Sequence, residues 1–467
     1  MVKQIFSHKI FLLLLLSLLL MVPVQSIMEL NRERQAYRSQ AIHSIMASSS
    51  GPQRLLGPVV VQPYTRTVTV EQDGKRFERK LQLYRYLLPE QLDVQASMEV
   101  TPRKLGIYQA QVYHTRLSLS GRLPAELNGK TLISGEPDLT VDGADPALVA
   151  GKPYLSLVLS DARGINRVPE LQLGEQRIPF APGALLGDGL AGIHAPLATL
   201  PGADGTFHIE LDLQGMNQLE VVPLGQDSRL NLASNWPHPN FIGDFLPGSR
   251  TLNASGFEAS WQSSWFATDM ESRFNRMMKG ASGDLPAFSV SLVQPVDHYQ
   301  QNERAAKYAL LFIGLTFLSF FMFELLKGLR VHPIQYALVG MGLAIFYLVL
   351  LALTEHLGFA WAYLIAALAS VALNGFYLSH VLGGPKQGLG FAALLGLVYA
   401  ILFGLLQAEE IALLLGALLL FTILALVMVL TRKLDWYRVM GSAPTPPPAG
   451  RRTENKTGAI RRRFAFH

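Results

Sequence analysis

The sequence predicts an α+β membrane protein with three parts: an N-terminal transmembrane anchor, a large, mainly antiparallel and sandwich-like β-domain outside the cytoplasm, and a C-terminal bundle of five transmembrane helices. Three observations support this fold class. An unbroken apolar run occupies residues 10–22, five more apolar runs follow residue 308, and the long stretch between them alternates apolar and polar positions. Apolar runs of about 20 residues are typical of membrane-spanning helices, and alternation is typical of half-buried strands.

Composition excludes several classes of protein. Only 16% of the 467 residues are charged, against about 25% in soluble domains, and the mean hydropathy of +0.24 indicates that soluble and membrane parts are averaged together. The absence of cysteine excludes a thiol nucleophile and a zinc-thiolate site. The net charge of +5 is too small to indicate nucleic-acid binding, so no nucleic-acid partner is expected.

The first predicted domain is the anchor, residues 1–28. Lys3, His8 and Lys9 precede its apolar run, which places the N-terminus in the cytoplasm and the following residues outside. Residues 24–26 would also serve as a cleavage site, so the residues alone leave a cleaved signal peptide open as the alternative.

The second predicted domain, residues 29–305, is the external β-domain. Short alternating segments recur throughout it, and turn residues separate them at 73–74, 128–129 and 215. The segments are 59–61, 65–70, 77–87, 108–119, 154–159, 208–213, 219–222, 229–232, 257–261 and 288–293. Helical periodicity is confined to residues 29–46 and 267–278. Many short strands with Gly and Pro between them predict an antiparallel sandwich.

The third predicted domain, residues 306–433, is the helix bundle. Its five expected spans are residues 308–326, 334–353, 359–382, 389–406 and 411–430. A basic, Pro-rich cytoplasmic tail follows at residues 434–467 and is expected to be disordered.

The loops between these spans alternate in charge, which indicates the orientation. Lys327, Arg330 and Lys386 belong to loops expected inside, whereas Glu355 and Glu409 belong to loops expected outside. The positive-inside rule therefore places both termini in the cytoplasm. Within the first of these spans Glu324 is expected to pair with Lys327, one helical turn later.

No constellation of catalytic residues is recognisable. The G-x-G-x-x-G string at 187–192 lies between prolines and is expected to be a loop rather than a dinucleotide site. The histidines lack metal-ligand spacing, and no G-x-S-x-G string occurs. The sequence therefore predicts no catalytic residue, no cofactor and no metal.

Four segments carry candidate partner or interface residues. Tryptophan beside polar residues can mark a partner site or a membrane interface, and an Asp–Arg turn or a Glu–His hairpin can make a contact. Each segment could equally be structural. The candidates are Trp236, His238, Asp244, Phe245, Trp261, Trp265, Asp161, Arg163, Glu355 and His356.

Several long strings resemble the CreD family of bacterial inner-membrane proteins, known for colicin tolerance and envelope stress. They include SSGPQRLLGP (49–58), RKLGIYQAQVYH (103–114), SDARGI (160–165), SNWPHPNFIGDFLP (234–247), WQSSWFA (261–267), LPAFSVSLVQPVDHYQ (285–300), the run 304–364 and TRKLDWY (431–437). The resemblance covers nearly the whole chain except the basic tail. It implies an uncleaved first helix, expression in an envelope or carbon-source response, and a role in outer-membrane and wall integrity. It supplies no reaction, cofactor or catalytic residue.

The favoured function is therefore a non-enzymatic inner-membrane protein that supports envelope integrity and the stress response. Its expected partners are membrane lipids, with envelope proteins or wall components as further candidates, and its oligomeric state stays open. One alternative is a lipid-handling or transport protein that works through the helix bundle. A second alternative is a membrane-bound hydrolase of wall or lipid that uses carboxylates such as Asp161 or Asp244.

Overall fold

The computed structural model describes most of the chain as two compact units. We call Arg32–Asp297 the β-unit, and Met1–Asn31 together with His298–His467 the helical unit. The described residues are 2–72, 75–124, 133–134, 148–187, 189–201, 205–280, 284–292, 298–327, 331–381, 384–408 and 411–432. The tail at 434–467 and the predicted turns at 73–74 and 128–129 lie outside them.

The β-unit contains two sheets, with strands numbered in chain order. The first sheet contains β1 (Gln53–Gln72), β2 (Lys75–Leu87), β5 (Ile133–Ser134), β6 (Leu148–Ala150), β7 (Tyr154–Leu159), β10 (Ala181–Pro182), β11 (Gly192–Pro196), β13 (Gln218–Val221), β15 (Pro239–Gly243) and β18 (Phe288–Leu292). Its strand order is β10-β11-β7-β1-β13-β18-β15, with β2 and β6 also paired to β1, and β5 to β2.

The second sheet has the strand order β16-β17-β14-β3-β4-β12-β8-β9. Its strands are β3 (Gln91–Leu105), β4 (Tyr108–Arg122), β8 (Glu170–Leu173), β9 (Gln176–Pro179), β12 (Thr206–Met216), β14 (Asp227–Ser234), β16 (Ser249–Asn253) and β17 (Gly256–Ser264).

Both sheets contribute side chains to one hydrophobic core. Leu55 and Leu157 come from the first sheet, and Val94, Leu119 and Trp261 come from the second. Burial alternates along β3, so every second residue faces this core and its neighbours face away. The two sheets are therefore layers around a common interior.

The predicted large β-domain is confirmed, but its sheets are mixed rather than uniformly antiparallel. β1 pairs in parallel with β13, and β14 pairs in parallel with β3. Local alternation cannot predict such pairings, because they join strands that are distant in the sequence. β3 itself is missing from the predicted strands, although its inward-facing residues alternate regularly: Leu92, Val94, Ala96, Met98 and Val100.

The expected turn at Gly215 is wrong, because this glycine lies inside β12. A Cβ added at Gly215 would lie 2.2 Å from the Tyr113 hydroxyl oxygen and 2.8 Å from Gln53 Cγ. The glycine is therefore required by the close approach of a neighbouring aromatic side chain.

Both predicted helical segments near the β-domain are confirmed with different bounds. The segment 29–46 lies within α2 (Met21–Ser48), which continues the apolar start of the chain. The segment 267–278 is divided into α3 (Trp265–Thr268) and α4 (Met270–Met278) by Asp269, whose φ of 45° interrupts the helix.

The helical unit is composed of helices, most of them apolar. They are α1 (Val2–Leu19), the first part of α2, α5 (His298–Lys307), α6 (Ala309–Lys327), α7 (Pro333–Leu357), α8 (Phe359–Val381), α9 (Pro385–Gln407) and α10 (Ala412–Thr431). Pro333 and Pro385 occupy first helical positions, where the missing backbone N–H breaks no hydrogen bond.

The structure supports about three C-terminal spans by length and composition, not the five expected. Among the described residues α7, α8 and α9 are each long and apolar enough to cross a membrane. The first expected span, residues 308–326, corresponds to α6, and α5 meets the start of α6 at a bend of 47°. The last is a shorter apolar helix within the described residues, Leu414–Val429.

The N-terminal apolar helix is confirmed, and it is part of the core of the helical unit. Leu13, Leu20 and Val24 are buried in one cluster with aromatic residues of α6 and α7. Leu20 also packs closely on α7, since a Cβ added at Gly340 would lie 2.2 Å from Leu20 Cδ1.

Candidate functional site

The second sheet presents a polar surface on the side away from the core, which we call the outer face. One cavity of about 480 Å³ lies across β3, β4, β14, β16 and β17, and another of about 430 Å³ lies across β4, β8, β9 and β12. Arg116 of β4 lines both cavities. The outer face is therefore a continuous polar surface across most of the sheet.

Strand register explains why this surface is polar. Residues that alternate with the core positions project from the outer face, and cross-strand neighbours there carry charge or amide groups. Arg116 lies opposite Asp212, with the Arg116 Nε and Asp212 Oδ1 atoms 3.7 Å apart. His208 Nε2 lies 3.6 Å from Glu210 Oε1 on the same strand.

The charges on the outer face are accessible to a partner. The Arg116 side chain is 80% exposed, and such an exposed ion pair contributes little to stability. Gln95, Ser118 and Asn231 add neutral donors and acceptors to the same surface. This arrangement can bind a polar molecule through many hydrogen bonds, whereas its chemistry includes no nucleophile paired with a base.

Two of the four predicted aromatic residues, Trp261 and Phe245, form a packed corner of the β-unit where β15, β17 and β18 meet. Trp261 is 1% exposed, stacks on Phe288, and donates from Nε1 to the Phe245 carbonyl oxygen at 3.1 Å. Phe245 packs edge-on against the same Phe288 ring. Trp261 and Phe245 therefore stabilise the fold at this corner.

The residues of the preceding loop are more exposed. Trp236 is half-buried against the core, and its Nε1 donates to the His238 carbonyl oxygen at 3.0 Å, while the His238 side chain is exposed. Asp244 is also exposed and accepts a hydrogen bond from the Ala287 backbone N–H at 3.3 Å. None of the three lines either cavity of the outer face.

Trp265 is separated from this corner by its position on α3. Its indole is 38% exposed and packs edge-on against Phe266, which is 89% exposed. Among the predicted aromatic residues, Trp265 therefore presents an exposed ring surface, next to the exposed ring of Phe266, that a partner can contact.

Asp161 and Arg163 form a hydrogen-bonded ion pair next to the junction of α2 and β1. Arg163 donates to both Asp161 carboxylate oxygens, at 2.9 and 2.6 Å, and its Nη1 donates to the Ala47 carbonyl oxygen at 3.0 Å. The Gly51 backbone N–H donates to Asp161 at 3.3 Å. Hydrogen bonding from the Arg163 side chain lowers the pKa of the Asp161 carboxyl below its usual range. The pair satisfies a carbonyl in the last turn of the helix, where no intrahelical donor is available.

Glu355 and His356 occupy the last turn of α7. The Tyr299 hydroxyl of α5 donates to Glu355 Oε1 at 3.2 Å, whereas the His356 side chain is exposed. Glu355 therefore contacts a neighbouring helix within the helical unit.

A buried ion pair that the sequence did not predict joins α1 to α6. Glu324 accepts a hydrogen bond from Lys9, which also donates to the Val331 carbonyl oxygen at 2.8 Å. The other Glu324 oxygen accepts from the Tyr336 hydroxyl at 2.8 Å. The expected pairing of Glu324 with Lys327 stays a prediction, because the Lys327 side chain lies outside those that the structure describes. The signal for the buried ion pair was a lone carboxylate in an apolar helix, which requires a cationic or hydrogen-bonding partner.

The residues that the structure describes contain no candidate metal site. No three His, Asp or Glu side chains there lie close enough to hold a metal ion. Asp161 and Asp244 line neither cavity of the outer face, and both accept local hydrogen bonds.

Comparison with known proteins places the chain in a family. The family model described as inner membrane protein CreD matches residues 5–437, which include the first helix, the β-unit and the apolar C-terminal helices. The chain belongs to the CreD family. The inner membrane protein CreD of Escherichia coli strain K12 is 41% identical over 429 residues, covering 90% of this chain and 91% of the relative.

Membership of the CreD family shows that the chain is an inner membrane protein, in agreement with its apolar helices. The family description names no reaction. Residues 438–467 of the basic tail lie outside the matched range.

Similarity to solved structures is weak. An M1 zinc metallopeptidase from Deinococcus radiodurans covers 44% of this chain and 42% of its own, at 10% identity and a TM-score of 0.21. A mutant of the same enzyme gives 8% identity and a TM-score of 0.20. Scores at this level carry no information about the fold or the activity of the chain.

Proposed function

We propose that this CreD-family chain is a non-enzymatic protein that supports envelope integrity and the stress response, and that its β-unit contacts other envelope components in the periplasm. The observation that carries the proposal is the outer face, whose two cavities share Arg116. The partner would be an envelope protein or wall component rich in hydrogen-bonding groups, since the surface offers guanidinium, carboxylate, amide and hydroxyl groups together.

The proposed topology has both termini in the cytoplasm. The four proposed domains are the anchor at 1–28, the periplasmic β-domain at 29–305, the helix bundle at 306–433 and the tail at 434–467. We include α6 and α10 among the spans, because their 19 and 20 residues give helices of roughly 30 Å, close to the thickness of the hydrocarbon core. The alternation of loop charges supports this count.

Site-specific photocrosslinking in cells tests the contact surface. A photoreactive amino acid at Arg116 should give crosslinks to an envelope component, because this position lies at the centre of the outer face. The matched control is the same probe at Glu271, an exposed position on α4 of the same unit. Equal crosslinking at both positions, or none at Arg116, would contradict the assignment of the surface.

Deletion of the gene tests the cellular role separately. Loss of the protein should sensitise cells to detergent and β-lactam challenge, and expression of the intact chain should restore resistance. If the deleted strain is indistinguishable from its parent, the proposed role in integrity fails whatever the outer face binds.

The second candidate function is lipid handling by the helix bundle. The observation that favours it is an apolar groove of about 460 Å³ between α8 and α9, with Trp361, Gly396 and Phe403 among its lining residues. Replacing α8 and α9 by unrelated apolar helices of equal length separates the candidates. Loss of complementation with the β-unit still folded would favour lipid handling, whereas full complementation would favour the β-unit as the working part.

A further inference from the structure

A small polar cavity lies within the helical unit among α2, α5 and α7. Its volume is about 10 Å³, and Asn31, Asn302 and Tyr347 contribute polar side chains to its wall. These three side chains are 3%, 7% and 2% exposed. Solvent therefore cannot reach their polar atoms freely.

Each of the three side chains has a polar atom without a partner among the residues that the structure describes. The Asn31 Nδ2 atom donates to the Tyr299 carbonyl oxygen at 3.1 Å, but no described residue donates to its Oδ1 atom. Asn302 accepts from the Thr354 hydroxyl at 3.4 Å, but its Nδ2 atom donates to no described residue. The Tyr347 hydroxyl likewise has no partner in the described part of the chain. Buried polar groups in native proteins are almost always paired, with protein or with ordered water.

We propose that this cavity binds one water molecule, which hydrogen-bonds to all three side chains. Its volume is close to the ~10–15 Å³ that a single water needs, and buried waters typically make about three hydrogen bonds. Asn302 Nδ2 and the Tyr347 hydroxyl donate to the water oxygen, and the water donates to Asn31 Oδ1. If the Asn302 amide is rotated by 180°, the water donates to both asparagines and accepts from Tyr347, so it matches either orientation.

Other polar groups around the cavity do not replace the water. Glu303 also lines the cavity, but its carboxylate forms an ion pair with Lys307 at 3.0 Å. The remaining wall consists of apolar side chains such as Ile27 and Leu350. The water thus links α2 to α5 and α7. It replaces direct hydrogen bonds, since none joins the side chains of Asn31, Asn302 and Tyr347 to one another.

A high-resolution structure of the full-length protein in a lipid nanodisc tests the site directly. One solvent peak is expected within about 2.7–3.2 Å of all three polar atoms. An empty cavity, direct hydrogen bonds among the three side chains, or a metal ion with shorter contacts would overturn the proposal.

A double-mutant cycle tests the same site in solution through the Tm of the full-length protein. Tyr347→Phe and Asn31→Ala should each lower the Tm, and the double variant should lower it by less than the sum, because loss of the shared water removes both interactions at once. The matched control is Tyr377→Phe on α8, a half-buried tyrosine that does not line the cavity.

Two results of the cycle would contradict the site. One is strict additivity of the two shifts, and the other is a Tyr347→Phe variant that matches the Tyr377→Phe control. If Asn31→Ala does not fold, Asn31→Ser takes its place, since a hydroxyl there keeps part of the polar contact.

Discussion

Asp161 and Arg163 illustrate how two residues can secure a junction between secondary-structure elements. Their side chains, with Gly51 and the Ala47 carbonyl, connect the end of α2 to the loop after β7. Because the fold lowers the pKa of the Asp161 carboxyl, its charged form stabilises the folded state above the unfolded pKa of the group. That contribution is lost as the pH falls through the folded-state pKa.

Arg163→Gln should therefore lower the Tm at neutral pH, and the difference from the parent protein should shrink in the acidic range below the usual carboxyl pKa. Thermal unfolding measured across pH checks this. The control is Arg229→Gln, since Arg229 pairs at 3.3 Å with Asp227, also two residues away, but both side chains are exposed on a strand. A Tm difference that is constant with pH would show that Asp161 is not the titrating group.

Lys9 and Glu324 give a second prediction at this scale. Removing one partner of a buried pair leaves the other charge uncompensated, so Lys9→Met should destabilise the protein by about 3–5 kcal/mol. The double variant Lys9→Met with Glu324→Leu should recover much of this loss. Unfolding in detergent measures both.

The control for the ion pair is Lys307→Met. Lys307 pairs with Glu303 one turn away at 3.0 Å, but its side chain is 61% exposed, so only a small change is expected. Equal losses of unfolding free energy for Lys9→Met and Lys307→Met would show that the pair of Lys9 and Glu324 stabilises the protein no more than an exposed pair does.

Single residues were only partly predictable from the sequence. The aromatic segments were recognisable as unusual, yet the sequence could not distinguish an exposed indole such as Trp265 from a buried one such as Trp261. The outer face gave no signal, because Gln95, Arg116 and Asn231 are ordinary residues for the solvent side of a strand. Lys9 lies more than 300 positions from Glu324, and no local rule connects them.

Among the secondary-structure elements, most alternating strands were predicted, but one was missed. β7 and β18 agree closely with the alternating segments, whereas β3 was missed although its apolar and polar residues alternate from Leu92 to Val100. The helix α5, which meets the start of α6 at a bend of 47°, was also missed. Apolar runs do not indicate it, because α5 consists mainly of polar residues.

Helix packing in the helical unit depends on Gly340 of α7. A Cβ there would lie 2.2 Å from Leu20 Cδ1 and 2.8 Å from Phe317 Cζ. Gly340→Leu should therefore destabilise the protein by about 1–3 kcal/mol, the usual cost of overpacking. Thermal unfolding is the measurement.

Gly404→Leu on α9 provides the comparison for Gly340. No atom lies within 4 Å of a Cβ added at Gly404, and both glycines are in long apolar helices. A loss at Gly404 as large as that at Gly340 would show that the close contacts with Leu20 and Phe317 do not determine the effect.

At the scale of the whole molecule, the first helix is a structural component of the helical unit. Lys9, Leu13, Leu20 and Val24 supply its polar and apolar contacts. Replacing residues 2–28 by an unrelated apolar helix of the same orientation should reduce the amount of folded protein and abolish complementation. Immunoblotting of membranes and the envelope-challenge assay measure the two effects.

The control is the same unrelated helix with Lys9, Leu13, Leu20 and Val24 kept at their positions. It should restore both the amount of folded protein and the complementation. If the unrelated helix works equally well, the first helix is only an anchor. The orientation of the termini, by contrast, stays a prediction from loop charges, because positive and acidic loops report on membrane insertion rather than on packing.

The parallel pairings of the β-unit also have a consequence for the order of folding. β1 is the first strand, but it pairs with β13, where Gln53 lies opposite Leu219, 166 positions later, and β13 pairs in turn with β18. Such high contact order makes folding slow, because large loops must close before the contacts that stabilise them form. Until Phe288–Leu292 has been synthesised, β13 lacks one of its two neighbouring strands and the packed corner around Trp261 lacks Phe288. Folding of the β-unit must therefore be completed late, when most of the chain before α5 has been translated.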